Sequence, residues 1–314
     1  MIFDSVLGAW IGELPRGCEL CMRGSKIVIF VTGMCYVNCP YCPISTKRRR
    51  PDAFYVDEEH VESLTTIIDE AVLIDAEGAS ITGGEPLCKF DTVTQILRLL
   101  KDVLGSEFHI HMYTTGWMAT RDVLKNLERH GLDELRIHPV AEWSWRVLEK
   151  AVECLTIDVG VEIPAIPLRE ALKFVVLRAA RAGAKFININ ELEATESNYF
   201  YIAFSGYRVS SDGRSVVGSR EAALYILEWA ERAGIDIAIH FCPTLFKDRA
   251  QHRARLRRKA FKCRTPYQEV TDDGLIRDRD KEFVPTLDRC APLVGEAHGA
   301  RQKEQAPELD RELR

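Results

Sequence analysis

Short runs of β-branched and aliphatic residues alternate along this chain with longer segments in which apolar residues recur at helical spacing. The run KIVIFVTG (26–33) predicts a strand ended by Gly33. Residues 57–74 predict a helix with Asp57 as N-cap and Val61, Leu64, Ile67, Ile68, Ala71 and Val72 on one face. Further strands are predicted over 79–84, 108–116, 134–140, 158–166 and 185–193. Helices are predicted over 91–104, 120–130, 143–153 and 168–182, two of them closed by Gly131 and Gly183. Six strand–helix repeats in about 165 residues predict parallel strands joined by crossover helices. Residues 194–218 break the rhythm as an insertion with short strands of its own. A helix over 219–233 and a seventh strand over 236–241 resume it, and a basic helix (246–263) and a turn-rich stretch follow.

Each strand has one apolar and one polar face. Phe108, Ile110 and Met112 oppose His109, His111 and Tyr113. Leu135 and Ile137 oppose Arg136 and His138; Val159, Val161 and Ile163 oppose Gly160 and Glu162. Ile187 and Ile189 oppose Asn188 and Asn190, and Ile235, Ile237 and Ile239 oppose Asp236 and His240. The apolar face belongs under helices, so the other faces a lumen. A closed barrel fills that space mainly with Val, Ile and Leu. A lumen this polar needs water or a ligand to satisfy it. The expected fold is α/β: a partial (β/α)6-type TIM-like barrel of parallel strands, wide or partly open, with a C-terminal extension. The expected divisions are an N-terminal segment (1–26), the barrel (27–243), a basic extension (244–294) and a polar, disordered or weakly helical tail (295–314).

Composition changes little. A net charge of −5 excludes a global pull toward nucleic acid. No apolar run reaches the roughly 18 residues of a membrane span, and the N-terminus does not read as a signal peptide. The expected location is the cytoplasm, where ten cysteines point to metal ligands or buried thiols rather than disulfides.

Three of these, Cys35, Cys39 and Cys42, stand at C-x3-C-x2-C spacing in the loop after the first barrel strand. Thiolates at such spacing bind soft metals. A structural zinc site takes four ligands. A four-iron cluster takes one ligand per iron, so three cysteines leave one iron open to a small molecule. The loop, with Tyr41 before the last cysteine, resembles that of radical S-adenosylmethionine (SAM) enzymes. The resemblance implies a [4Fe–4S] cluster whose open iron binds the amino and carboxylate groups of SAM. It implies further that reduction splits SAM into methionine and a 5′-deoxyadenosyl radical that abstracts hydrogen from a substrate, with an external reductant such as ferredoxin or flavodoxin.

A second match is Gly83–Gly84–Glu85–Pro86, at the end of the second barrel strand. In the family this turn meets the SAM amino group: glycines let the backbone approach, and carboxylate and carbonyls accept from an ammonium. By position the resemblance extends to Arg136 for the SAM carboxylate or ribose, Gly160 and Glu162 beside the adenine, and Asn188 or Asn190 for the ribose or substrate. A wider likeness over most of residues 18–280 is to a largely archaeal group related to pyruvate formate-lyase activating enzymes; it adds no reaction.

Cys18 and Cys21 form a C-x2-C that predicts a second iron–sulfur cluster or a zinc with two of Cys242, Cys263 and Cys290, or else plain surface or structural thiols. Strand length argues against a meeting, because Cys18 and Cys21 precede the first barrel strand and Cys242 leaves the last at its far end. The basic stretches TKRRR (46–50) and FKDRAQHRARLRRKAFKCR (246–264) predict either solvated faces or a grip on an anionic or RNA partner. The reading carried forward is hydrogen abstraction from an unknown substrate in the polar cavity, a small molecule or RNA. One alternative is activation of a glycyl-radical enzyme. The other, from a different class, is a non-catalytic iron–sulfur or zinc protein, which has no need of the Gly-Gly-Glu-Pro turn.

Overall fold

A computed structural model of the chain describes residues 1–278 and 283–284. It opens with a hairpin, β1 (Ile2–Asp4) and β2 (Gly8–Ile11), and a short helix α1 (Arg16–Met22). Then come β3 (Lys26–Phe30), a second hairpin of β4 (Tyr55–Val56) and β5 (Glu59–His60), and α2 (Thr65–Leu73). The repeats continue as β6 (Gly78–Thr82), α3 (Phe90–Leu104), β7 (His109–Thr114), α4 (Arg121–Arg129), β8 (Glu134–Ile137) and α5 (Glu142–Cys154). They end with β9 (Asp158–Ala165), α6 (Arg169–Arg181), β10 (Phe186–Glu191), the inserted α7 (Tyr199–Phe204), α8 (Ser219–Arg232) and β11 (Ala238–Cys242). The C-terminal part holds α9 (Thr244–Phe246), a π-helical stretch over 247–252, α10 (Arg253–Cys263) and strands β12 (Gln268–Val270), β13 (Ile276–Asp278) and β14 (Phe283–Val284).

Eleven strands form one sheet in the order β1-β2-β11-β10-β9-β8-β7-β6-β3-β4-β5. The run from β3 to β11 is parallel throughout, and the two hairpins continue it antiparallel at either edge. Seven parallel strands form the wall, the seventh being β11, and the two edges do not pair with each other. The expected partial barrel is what the chain builds. Its apolar strand faces carry the core: Ile110, Met112, Leu135, Ile137, Val161, Ile187 and Ile239 pack with the inward faces of the surrounding helices. The opposite faces of β7 to β11 place Tyr113, Arg136, Glu162, Asn188, Asn190 and His240 on the lumen.

Several local expectations change. Asp57 does not cap a helix. It turns the β4–β5 hairpin at φ +52°, a conformation that Asp tolerates better than most residues. The helix begins only at Thr65, and Val72 is on its exposed side. The insertion contributes a helix and two isolated bridges, Glu193–Ser215 and Val209–Val216, in place of strands. Asp236 precedes β11 and lies outside the lumen.

Residues 1–26 are not a separate segment. β2 pairs with β11, and α1 packs on β3, β6 and β7. Nor is the C-terminal part an appendage. The helical segment 244–263 packs on α1 and α2, and its Phe246, Lys247 and Gln251 line the lumen. It walls the side that the sheet leaves open.

Its basic residues serve that docking. Lys259 pairs with Glu70, both buried, Arg255 with Asp57 (2.9 Å), Arg253 with Asp273 and Arg257 with Asp272. Arg258 donates to the carbonyls of Ile74 and Asp75. Asp57 accepts in turn from the Val28 amide (2.9 Å), while burial pushes its carboxyl up to about 7 against the pull of Arg255. Several basic residues of this stretch are thus paired with the protein's own carboxylates. The tail from residue 285 lies outside the described residues.

Arg255→Ala should lower the unfolding free energy by about 1–3 kcal/mol, because it leaves the buried Asp57 and its neighbours without that cationic partner, Asp57 then taking up a proton near neutral pH. Urea unfolding checks this through a fall in midpoint at unchanged slope. Asp57→Asn combined with Arg255→Met should lose markedly less.

Candidate active site

The loops at the carboxyl ends of β3 and β6 touch backbone to backbone. The Gly84 amide donates to the Thr32 carbonyl (2.7 Å) and the Glu85 amide to the Met34 carbonyl (2.6 Å). Glycine is required here. A Cβ on Gly84 would stand 2.3 Å from the Met34 oxygen, and one on Gly83, at φ +154°, 2.6 Å from the Thr32 oxygen. Gly33 is equally enclosed, 2.1 Å from the Arg48 oxygen on the same construction. The cysteine loop is therefore fixed against the Gly-Gly-Glu-Pro turn before any ligand arrives.

Cys35, Cys39 and Cys42 all line one cavity of about 670 Å3 together with Gly83, Gly84 and Pro86. Cys35 is exposed and the other two half-buried. Burial pushes the Cys35 and Cys39 thiols up from their ordinary range. Arg49 donates to the Cys42 carbonyl (3.2 Å) and the Ile44 carbonyl (3.1 Å). Arg48 lies over the Tyr55 and Phe30 rings, and Arg50 pairs with Asp52. The TKRRR stretch thus braces the loop.

Tyr41 spans from this loop to the barrel wall. Its hydroxyl meets His138 Nε2 (2.9 Å), and His138 Nδ1 meets the Glu162 carbonyl (2.8 Å). A carbonyl only accepts, so Nδ1 carries a proton. The neutral ring then accepts from Tyr41 at Nε2, in keeping with burial, which lowers the His138 pKa. Asn198, which the sequence did not single out, donates to the Tyr41 carbonyl (3.0 Å) and the Glu193 carbonyl (2.7 Å), tying the insertion to the same loop.

Glu85 is not placed as a ligand carboxylate. It is 1% exposed and absent from the cavity wall. One oxygen accepts from Thr114 Oγ1 (2.7 Å) and the Leu87 amide (3.2 Å). The other accepts from the Thr115 amide (2.7 Å) and hydroxyl (2.5 Å). Those contacts hold the turn to the end of β7. Thr114 and Thr115 went unnoticed in sequence because nothing there marks a hydroxyl pair as a carboxylate's receptor.

Below the loops the lumen is a single hydrogen-bonded array. Glu162 accepts from Asn188 and Asn190 (each 2.6 Å) and from Arg136 (3.1 Å). Arg136 donates also to Glu134 (2.5 Å) and to the Cys18 sulfur (3.2 Å), and its guanidinium lies by the Tyr113 and Phe186 rings. His240 Nδ1 meets the Asn188 oxygen (2.6 Å). Gly160 sits under the Phe186 ring and does not line the cavity.

Helix α1 plugs the bottom. The Gly17 amide donates to Glu134 (3.1 Å), Lys26 donates to the Gly17 carbonyl (3.0 Å), and a Cβ on Gly17 would strike His111. This position brings Cys18 and Cys21 onto the same cavity as Cys242, against the separation that strand length implied. Cys263 belongs elsewhere, packed with Ala260 and Ile276, and Cys290 lies outside the described residues.

His109, His111 and Glu134 place three donor atoms within 4.8 Å of one another, the one such group among the described residues. Cations already occupy it: Lys26 is 3.4 Å from His111 Nε2, and Arg136 holds Glu134. Two fixed positive charges there disfavour a metal ion.

The profile of the radical SAM superfamily matches residues 29–140, the stretch that contains both loops. A protein of Methanocaldococcus jannaschii named as a glycyl-radical enzyme activating enzyme is 38% identical over 275 residues, 84% of this chain and 72% of that one. Among solved structures, Streptococcus suis SuiB is 11% identical over 88% of this chain and 68% of its own, at a TM-score of 0.51. SuiB bound to its precursor peptide SuiA gives 12% identity and a TM-score of 0.50 over 87% of this chain, which spans 66% of that one, just under two thirds. These two likenesses concern the fold. No helix among the described residues is long and apolar enough to cross a membrane. By its match to the M. jannaschii relative and to the superfamily profile, the chain belongs to the radical SAM superfamily, whose members use a [4Fe–4S] cluster and SAM.

Proposed function

We propose that Cys35, Cys39 and Cys42 hold the [4Fe–4S] cluster, that the Gly83–Gly84 turn receives the amino group of SAM, and that the enzyme abstracts hydrogen from a substrate in the polar cavity. The observation that carries this reading is the shared wall: three thiols and the glycine turn face one cavity and are joined by two short backbone hydrogen bonds. When bound, the cluster supplies the electron that cleaves SAM to the 5′-deoxyadenosyl radical. The chain's own residues place and enclose the reactants.

The turn's role is specific. Its Gly84 and Glu85 amides are already given to the cysteine loop. What it offers an ammonium is the carbonyl oxygens of Gly83 and Gly84, while Glu85 positions the turn through Thr114 and Thr115. Pro86 closes the turn on the cavity wall. Glu162 holds Asn188, Asn190 and Arg136 in register as the polar floor on which ribose, carboxylate or substrate rests. Tyr41, braced from the insertion by Asn198, walls the cavity beside the cluster loop, which limits water around a reactive radical. Cys35 and Tyr36, both exposed, mark the side from which an external reductant of the ferredoxin or flavodoxin type would deliver electrons. A second metal at Cys18, Cys21 and Cys242 belongs to the same proposal.

A second reading of the substrate is a protein: the name of the M. jannaschii relative favours activation of a glycyl-radical enzyme. Under that reading a large partner acquires an organic radical, visible by electron paramagnetic resonance (EPR), when this enzyme, SAM and reductant are added. A small-molecule or RNA substrate leaves any such partner unchanged.

Anaerobic incubation of the iron-loaded protein with SAM and dithionite should yield 5′-deoxyadenosine. Replacing any one of Cys35, Cys39 or Cys42 by Ala should abolish it, a loss of at least 100-fold set by the loss of an iron ligand (order of magnitude). A protein fully loaded with iron whose reduced EPR signal does not respond to SAM and that forms none of the product would refute the assignment. Gly84→Ala should weaken SAM binding by about ten-fold or more, roughly 1.4 kcal/mol, because its Cβ must displace the Met34 carbonyl. Titration of SAM against the EPR signal of the reduced protein measures this.

A further inference from the structure

We infer that Cys18, Cys21 and Cys242 hold a second four-iron cluster, set into the floor of the barrel across the cavity from the first. The inference rests on the reading that Cys35, Cys39 and Cys42 bind the SAM-cleaving cluster, and it extends that reading to the far wall.

The placement comes from three elements. Cys18 and Cys21 are one turn apart on α1, so both side chains project to the same side of the plug. Cys18 lies against the floor, 3.9 Å from the Asn188 oxygen and 3.2 Å from the Arg136 guanidinium. On the neighbouring strand, His240 pairs with Asn188 and Cys242 with Asn190. Cys242 therefore sits one strand across and two residues up from the residue that Cys18 touches, about 8 Å between backbones. All three line the one cavity.

The spacing disfavours a single zinc ion. Thiolates around a single zinc stand within about 4 Å of one another. Among the described residues no three cysteine sulfurs come within 4.8 Å, whether of this set or of Cys35, Cys39 and Cys42. The set for which the family implies a cubane is thus spread beyond the reach of one ion, and so is the second set. A cluster, whose thiolates attach at separate irons, suits both. Arg136 supports the anionic charge of such a site, since its guanidinium already donates to the Cys18 sulfur. Three ligands again leave one iron without a cysteine. With a cluster bound there, that iron would be open to a nitrogen, oxygen or sulfur atom of a substrate in the shared cavity.

The test uses the full chain, reconstituted anaerobically with iron and sulfide. Wild type should carry about eight irons, and the Cys35→Ala/Cys39→Ala/Cys42→Ala variant about four. Dithionite should give wild type two EPR signals, one shifted by SAM and one indifferent to it; the variant should keep only the indifferent signal. The Cys18→Ala/Cys21→Ala/Cys242→Ala variant should keep only the shifted one. Wild type with about four irons and a single SAM-sensitive signal would overturn the second cluster, as would one equivalent of zinc and no iron in the first variant. Two clusters with neither signal responding to SAM would leave the second cluster standing and sink the proposed function instead. Should either variant misfold by circular dichroism, the wild-type iron count and signal number decide alone.

Discussion

The contact on which the proposed site depends is between two peptide backbones. At Gly84 a single added carbon would overlap the Met34 carbonyl, and the chain exploits the gap with a 2.7 Å and a 2.6 Å hydrogen bond between the loops after β3 and β6. Other constraints follow from that contact. The cysteine loop has little regular structure, so its position must come from its neighbours. The glycine turn fixes one end, Arg49 the middle, and Asn198 with Tyr41 the side toward the insertion. Glu85, held by two threonines, transmits the position of β7 to the turn. A site assembled from loops acquires rigidity in this way, and a ligand then finds its receptor formed rather than forming it.

The lumen shows the converse problem. Charged groups in a barrel interior lose hydration that only close pairing restores. Here Glu134, Arg136, Glu162 and the two asparagines satisfy one another, and Lys26 finds the carbonyl of α1. The helix plug makes this economical. It closes the bottom, supplies backbone partners to Lys26 and Glu134, and leaves the polar floor open only upward. Glycine at position 17 is what allows it so near His111 and Arg136.

Strand alternation carried most of the fold. The faces of β7 to β10 were legible because each strand obeys a period of two, and burial leaves no freedom in which face turns to the helices. The two motif loops were legible because their chemistry demands particular residue types. Contacts made by residues distant in sequence were not. Glu85 reads as a ligand carboxylate until Thr114 and Thr115 are seen to consume it. The basic C-terminal helix reads as a solvated face or an anion grip, and its pairing with Glu70, Asp57 and Asp75 shows only in the fold. Asp57 reads as a cap because the apolar period begins after it, yet the hairpin of β4 and β5 takes that stretch first. Cys18 and Cys21 seemed too low to meet Cys242, since a helix folded up into the barrel leaves no periodic trace.

The placement of α1 bears on why the barrel is built open. A sheet whose edges do not pair leaves a seam, and the helical segment 244–263 occupies it while contributing Phe246, Lys247 and Gln251 to the cavity. The wall most easily changed without disturbing the strands is then this one, for its attachment runs through ion pairs with α2 and the β4–β5 hairpin rather than through a β-ladder. The cluster loop and glycine turn lie on β3 and β6, where parallel pairing is continuous. Chemistry common to the superfamily is thereby housed on the rigid part of the sheet. The plug and the helical segment 244–263 line the remaining space, so on the proposed reading the substrate would meet elements that the parallel strands position but do not constitute.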